Sequence, residues 1–543
     1  MISRRHLLAG SAALAALPST ALAQATSASA DRVSTLAAMK RATRFMLDEA
    51  AYRGGYVWSY LPDFSRRWGE LEATRTMIWI QPPGTGTVGH LYLDALHATG
   101  DAFYYRAAQS VASAIMAAQQ PSGGWNYVHD FAGPAALQRW YDTYGANAWR
   151  MEEFQHNWRN STFDDAGTSE AMQFLLRMYL EKRDRRYRPS LDRAIKLVLD
   201  SQYPNGGWPQ RYPSRPEFSK GGRPDYTSYV TFNDDVAGEN IKFLVMVRQT
   251  LGANTRIDDA IRRAMNSFVV LQQPQPQPAW GLQHDLSGKP VAARSYEPRA
   301  FATHTTAANL GQLMNFYELT GDPKFLARIP EALAWLEKVR LPVPRNGRSH
   351  PTFIEVGTDR ALYVHRRGSN VVNGEYFVDY SPEKTLGHYS GFRQVNVDAL
   401  RRRYERLKAT PPAQASRNSP LMTTALTPLP RYFAMEDIAT SDLNSHRSAE
   451  GAGQDAGGGK PAEIVASLNA QGYWPTPLVS TSNPYRGPGP RTPTPGDYAT
   501  THVGDAWDTS PYPTDKPVTG ISTGAYIENI KTLIQHLDGG ARV

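Results

Sequence analysis

The chain has no cysteine in 543 residues. That absence excludes disulfides, thiolate zinc sites, iron–sulfur clusters and cysteine nucleophiles, so any bound metal must sit on oxygen or imidazole. No His-Glu-x-x-His or paired-histidine spacing occurs either, which argues against zinc. Lys and Arg form no long block, and the formal charge of +8, from 59 basic and 51 acidic residues, is too diffuse to indicate a nucleic-acid partner. Beyond the N-terminus, nothing approaches the ~20 apolar residues of a membrane span. What is present is a globular composition, 41% hydrophobic and 20% charged. The length exceeds one ordinary domain unless the fold is a large barrel or toroid. Twelve Trp and 28 Tyr suit a carbohydrate or polyanion surface better than a hydride-transfer site.

The N-terminus reads as an address. Ile2-Ser3-Arg4-Arg5-His6-Leu7-Leu8 leads into small apolar residues to about Leu17 and then Ala21-Leu22-Ala23. A basic segment, a short apolar run and an Ala-x-Ala site make a secretory signal, residues 1–23. Arg4 and Arg5 give it twin-arginine character. The expectation is export to the periplasm or beyond, with a mature charge of +6 once those two arginines are gone.

The remainder repeats. Gly54-Gly55-Tyr56, Gly123-Gly124-Trp125, Gly206-Gly207-Trp208 and Trp280-Gly281 place an aromatic at 56, 125, 208 and 280, and Gly472-Tyr473-Trp474 returns near the end. Between them lie paired segments of helical period: Ala166–Tyr179 with Leu191–Leu199, Val236–Val247 with Ile257–Leu271, Thr305–Leu319 with Pro323–Val339. Two helices per ~70 residues predict an all-α fold, an (α/α) toroid of repeated helix hairpins with few short strands in its loops. The toroid is placed at 24–410. Residues 411–460 read as linker, and 461–543 as a C-terminal extension, a partial helical repeat packed on the toroid. Each Gly-Gly-aromatic element reads first as a helix terminator, although Trp125, Trp208 and Trp280 are also placed to line a sugar groove.

Acids gather where the inner helices begin. Thr162-Phe163-Asp164-Asp165 and Thr231-Phe232-Asn233-Asp234-Asp235 are one motif about 70 residues apart, so a toroid brings both to one face. One aspartate suffices to cap a helix; two adjacent carboxylates at two equivalent starts also suit a hard cation such as calcium, held by Asp164, Asp165, Asp234 and Asp235. Arg294 and Glu297 fall on the same rim, with His365-Arg366-Arg367, Lys384 and Gly387-His388-Tyr389 further on. Arginines pair carboxylates bidentately, so the natural partner is an acidic polysaccharide.

These residues, together with Tyr203-Pro204-Asn205-Gly206-Gly207-Trp208-Pro209-Gln210, Gln283-His284-Asp285 and Ala293-Arg294-Ser295-Tyr296-Glu297, resemble the pectate lyases of polysaccharide lyase family ten, in family order over about residues 120–395. The resemblance implies an α/α toroid that cleaves polygalacturonate by calcium-assisted β-elimination. Calcium would sit on Asp164 and one of Asp234 and Asp235, and Arg294 would be the base. Arg366 or Arg367 would bind substrate, and Trp208, Tyr296, His284 and Lys384 are expected beside them. The family usually has Asp-Asn where this chain has Asp164-Asp165, and the tail beyond about 410 has no counterpart. An arginine can accept a proton only after its guanidinium has lost one, which favours high pH, so an alkaline optimum is expected. Two other readings stand beside this one: a glycoside hydrolase using Asp165 and Asp235 as acid and base, and a non-catalytic polyuronate-binding protein.

Overall fold

The computed structural model describes residues 19–539 apart from 150, 157–158, 216–224, 370–373, 388, 434–443, 445–459, 493 and 501–503. Arg4, Arg5 and His388 therefore lie outside the described residues. The longer helices are α1 (Ser19–Phe45), α2 (Thr85–Thr99), α3 (Ala102–Ala118), α4 (Gly167–Lys182), α5 (Arg188–Asp200), α6 (Val236–Leu251), α7 (Thr255–Val270), α8 (Thr303–Thr320), α9 (Ile329–Lys338), α10 (Val397–Ala409) and α11 (Thr523–Gly539). None of the described helices is long and apolar enough to cross a membrane.

The helices pair as α2/α3, α4/α5, α6/α7 and α8/α9, and the two members of each pair bury themselves differently. In α5, residues 190, 191, 194, 197 and 198 are buried, and in α7 residues 257, 260, 261, 264, 265 and 268: one apolar stripe on an otherwise wet outer helix. Asn254 starts α7 by accepting from the amides of Arg256 and Ile257. By contrast α4 is buried without interruption from Gly167 to Met178. Helices α11, α2, α4 and α6 pack one on the next as an inner row, so the last helix of the chain stands beside the first hairpin. Polar residues of this row satisfy one another, as Arg177 Nη2 does with Asp94 at 2.6 Å, both buried.

Short ladders fix the repeats at the end where the inner helices begin. Met77–Trp79 pairs with Val128–Asp130, Ser161–Thr162 with Arg211–Tyr212, and Val230–Thr231 with Gln283–His284. At equivalent points the amides of Trp79, Thr162, Thr231 and Ala302 donate to the carbonyls of Tyr56, Trp125, Trp208 and Trp280, at 2.8, 2.8, 3.0 and 3.0 Å. The aromatic of each Gly-Gly element is thus a hub. Its ring enters the core and its carbonyl receives the strand that opens the next inner helix.

The indoles show the same economy. Trp125, Trp208, Trp280 and Trp474 each donate Nε1–H to a carbonyl ten or twelve residues earlier: Ile115, Val198, Phe268 and Ile464. Trp125, Trp208 and Trp280 are fully buried, which corrects the sugar-groove expectation for them, Trp208 included. Trp208→Ala is expected to cost about 3–5 kcal/mol of stability by chemical denaturation. The folded fraction should keep its substrate KM, because the ring touches no solvent.

Two features escape the helical pattern. Ala300–Ala302, Phe353–Glu355, Ala361–Arg367 and Glu375–Asp379 form a four-stranded sheet next to α8. Pro475–Ser482 and Pro511–Ser522 form a long hairpin whose second strand joins Ser59–Tyr60. Residues 461–543 therefore hold a hairpin as well as helices. Leu362 to Arg366 are buried in succession, so this strand lacks the alternation that announces one.

A candidate acidic metal centre facing a buried arginine

Asp164 and Asp165 follow the strand Ser161–Thr162; Asn233, Asp234 and Asp235 follow Val230–Thr231. In both places the chain reaches the inner helix through two successive left-handed residues: Asp165 (φ 47°) and Ala166 (φ 55°), then Asp234 (φ 50°) and Asp235 (φ 53°). Such backbone costs roughly 1–2 kcal/mol per residue outside glycine. No side-chain cap on α4 or α6 is gained in return, so capping does not account for these acids. Paired strain at equivalent points of two repeats singles these segments out as a candidate functional site.

The register also shows which acids correspond. Asp165 matches Asp234, Asp164 matches Asn233, and Asp235 matches Ala166. Asp164, Asp165 and Asp234 accordingly converge, each offering a carboxylate oxygen within 4.8 Å of the others. Asp235 does not join them, which corrects its place among the ligands. Its carboxylate accepts from Gln312 Nε2 at 3.0 and 3.2 Å, and burial followed by Glu239 pushes its pKa up to about 7. The acid–base pair Asp165/Asp235 is thereby split between two settings.

Asp164 is fully buried. Its Oδ2 accepts from Tyr127 Oη at 2.7 Å and from Arg294 Nη2 at 2.5 Å. Its Oδ1 has no hydrogen-bond donor among the described residues. Asp165 Oδ2 accepts from Gln81 Nε2 at 2.9 Å and Tyr127 Oη at 3.1 Å, and Asp234 accepts from Asn233 Nδ2 at 2.5 Å. Burial opposes the charge on all three. For Asp164 burial is the largest single influence, but the Arg294 guanidinium and the hydrogen bonds to the carboxylate, Tyr127's among them, together outweigh it and hold the pKa below the usual range. For Asp165 burial and then Asp164 push the pKa up to about 7, and for Asp234 burial and then Asp165 and Asp164 push it well above the ordinary value. Three crowded carboxylates, one orphaned oxygen and, among the described residues, no imidazole in the cluster fit a hard, oxygen-seeking cation. The acidic triad can bind a metal.

Arg294 faces this triad from the far side. It is buried, with Glu297 Oε1 at 3.1 Å, Glu153 Oε2 at 3.3 Å and Asp164 Oδ2 at 2.5 Å around its guanidinium. Burial disfavours its charge, but Tyr296, Asp164 and Glu297 outweigh that and raise its pKa well above the ordinary arginine value. Its surroundings are anionic and hold the guanidinium charged. Tyr389 Oη donates to Glu297 at 2.8 Å and lies 3.4 Å from Arg294 Nη1.

The other sequence-derived residues scatter. Tyr296 is buried edge-on between Tyr389 and Tyr376, supporting Arg294 from behind and exposing no face to a sugar. His284 is buried, bonded to the Gly281 amide and the Gly288 carbonyl, with its pKa pushed down to about 4 by burial; it is a neutral structural histidine. Arg366 and Arg367 point to opposite sides of their strand. Arg366 is buried, 3.6 Å over the Trp149 ring, while Arg367 is exposed and pairs Glu375 at 3.1 Å. Lys384 is exposed and pairs Asp497 at 3.2 Å.

Sequence reasoning missed Tyr127, Gln81 and Glu153. Tyr127 had a signal: it stands two residues after Trp125, as Gln210 and Leu282 stand after Trp208 and Trp280, and those three carbonyls accept from Ile80, Phe163 and Phe232. Glu153 had none, since its short helix Glu153–His156 belongs to no repeat.

Residues 119–377 match the pectic acid lyase family, a little under half the chain, and that segment holds the triad, Arg294, Arg366 and Arg367. Among solved structures, the chain is similar to a mutant family 10 polysaccharide lyase from Cellvibrio cellulosa in complex with trigalacturonic acid, at 19% identity over 57% of this chain and 95% of that one, TM-score 0.39. It is similar to the family 10 polysaccharide lyase from the same organism at 19% identity, over 57% and 89%, TM-score 0.37. A family 76 glycoside hydrolase from Bacteroides thetaiotaomicron matches 93% of this chain and 78% of its own, at 8% identity and TM-score 0.39. No curated protein matches the chain.

Proposed function

We propose, from the membership of residues 119–377 in the pectic acid lyase family, that this chain cleaves polygalacturonate or a related polyuronate by calcium-assisted β-elimination. The observation that carries this reading is the convergence of Asp164, Asp165 and Asp234 on strained backbone opposite the buried Arg294. We read the row of hairpins as an α/α toroid of about residues 24–410, followed by linker and extension. Residues 1–23 are read as the signal for export to the periplasm or beyond.

The three aspartates would hold the calcium. When bound, it neutralises the uronate carboxylate and so acidifies the C5 proton. Elimination then breaks the C5–H and C4–O bonds and forms a C4–C5 double bond, with the proton passing to a base and the leaving oxygen protonated from solvent. Arg294 is the base assigned by the resemblance. Its ring of carboxylates opposes that role at neutral pH, so turnover is expected only under alkaline conditions; while charged, Arg294 also pairs the uronate carboxylate. The reading is tested by following polygalacturonate cleavage two ways. Ultraviolet absorbance rising in step with new chain ends supports elimination. New reducing ends without absorbance would instead identify a hydrolase.

Calcium should also leave a pH signature in stability. Asp165 has a folded pKa of about 7 against an ordinary 3.8, so the folded state binds that proton more tightly. Without calcium, stability therefore falls as pH rises from about 4 to 7. Calcium binds the deprotonated acids and reverses the loss. The Tm gain on adding calcium should be clearly larger at about pH 8 than at about pH 5.

A further inference from the structure

The loop at the tip of the long C-terminal hairpin does not hang free. It lies against both chain segments that flank Arg294. On one side Asn147 Nδ2 donates to the carbonyls of Gly487 and Trp507 at 2.8 and 3.1 Å, the Thr509 amide donates to the Asn147 carbonyl at 3.2 Å, and the Trp149 amide donates to Asp508 at 3.2 Å. That segment leads directly to Glu153, a partner of Arg294. On the other side Ser369 Oγ donates to Asp505 at 3.2 Å, and a side chain on Gly504 would collide with the Ser369 carbonyl. The Arg366 Nε donates to the Tyr498 carbonyl at 2.9 Å, and Lys384 pairs Asp497.

An aromatic row connects this loop to the site. Arg366 lies on Trp149, Trp149 stacks on Tyr376 at 5.0 Å, Tyr376 meets Tyr296 at 5.5 Å, and Tyr296 adjoins Arg294 and Tyr389. The two cations placed by sequence to bind a polyuronate, Arg366 and Lys384, thus have an arm of the chain itself seated on them. The hairpin's base is fixed in a sheet with Ser59–Tyr60, so this docking is built into the fold.

We infer that the described residues of the hairpin tip, 483–492, 494–500 and 504–510, form an arm that closes one end of the polyuronate-binding face and restricts the enzyme to short chains and chain ends. The inference rests on the polyuronate reading above. Asp497 and the Tyr498 carbonyl already pair Lys384 and Arg366, the cations that the polyuronate reading assigns to substrate, so on that reading a chain reaching these cations would meet the arm.

The test compares the full chain with a variant whose residues 484–509 are replaced by a Gly-Ser turn, and with Asp497→Ala, an exposed change that leaves the arm in place. Wild type should release short unsaturated products with little loss of polygalacturonate viscosity per bond cleaved. The shortened variant should lose viscosity sharply and raise kcat/KM on polymer, relative to trigalacturonate, about tenfold. Asp497→Ala should move in the same direction by a smaller factor, and it answers for the proposal if the shortened variant does not fold. Unchanged product lengths in the variants, or early viscosity collapse with wild type, overturn the arm while leaving the lyase reading intact. If no protein forms unsaturated product, the lyase reading fails. Calorimetry against oligogalacturonates of increasing length then decides on the arm: the shortest ligand giving full affinity should be longer when the arm is removed, and equal lengths overturn it.

Discussion

Arg294→Ala should lower lyase activity by about a thousandfold or more, a loss in the range of a missing general base compounded by a missing charge partner. Its side chain is the cation shared by Asp164, Glu153 and Glu297. Removing it leaves three buried acids uncompensated, and breaking such a buried set costs about 3–5 kcal/mol of stability. The variant must therefore be assayed at a temperature where circular dichroism shows it folded. Arg294→Lys separates the two roles of the guanidinium. A lysine has an ordinary pKa of about 10.4, well below that of arginine. If residue 294 takes the C5 proton, residual activity should reach its maximum at lower pH than wild type. If it only pairs the uronate carboxylate, the profile keeps its shape and KM carries the change.

The second large effect concerns the triad. Asp234→Asn and Asp165→Asn each remove one of the carboxylates that lie within 4.8 Å of one another. A unit charge at about 4 Å is worth roughly 4 kcal/mol at an effective dielectric of 20. After the desolvation saved is set against it, calcium affinity by calorimetry should fall about a hundredfold. The same substitutions relieve repulsion in the calcium-free protein, where burial and neighbouring acids push both pKa values up. Each variant should therefore have a higher Tm than wild type in chelator at about pH 8, and a lower one in excess calcium. A ligand acid gives that inversion; an acid retained only for packing does not.

Much of this was legible before the structure, for physical reasons that can be named. Helix burial has a period, so α5 and α7 appear in the pattern of residues 190–198 and 257–268. Repeats place equivalent residues on one face, which brought Asp164, Asp165 and Asp234 together on paper. The same logic failed where identity of letters was taken for identity of position. Asp235 looked like the second acid of a pair, but the left-handed residues align it with Ala166 and turn it toward Gln312. Trp208 and His284 belong to conspicuous motifs, yet their positions are dictated by core packing and by backbone hydrogen bonds that leave no residue-type signature for exposure. The anionic cage of Arg294 depends on Glu153, 141 positions away in a non-repeating stretch. The arm was invisible because its contacts are mostly through backbone carbonyls and amides, which any sequence supplies.

One measurement bears most directly on the central claim: the rate of unsaturated uronate formation from polygalacturonate, in chelator and after calcium is added back, at neutral and alkaline pH. The account predicts no detectable rate in chelator, recovery on adding calcium, and a rate that climbs toward alkaline pH. A rate indifferent to chelator, or chain cleavage that yields no unsaturated ends in calcium, would contradict it.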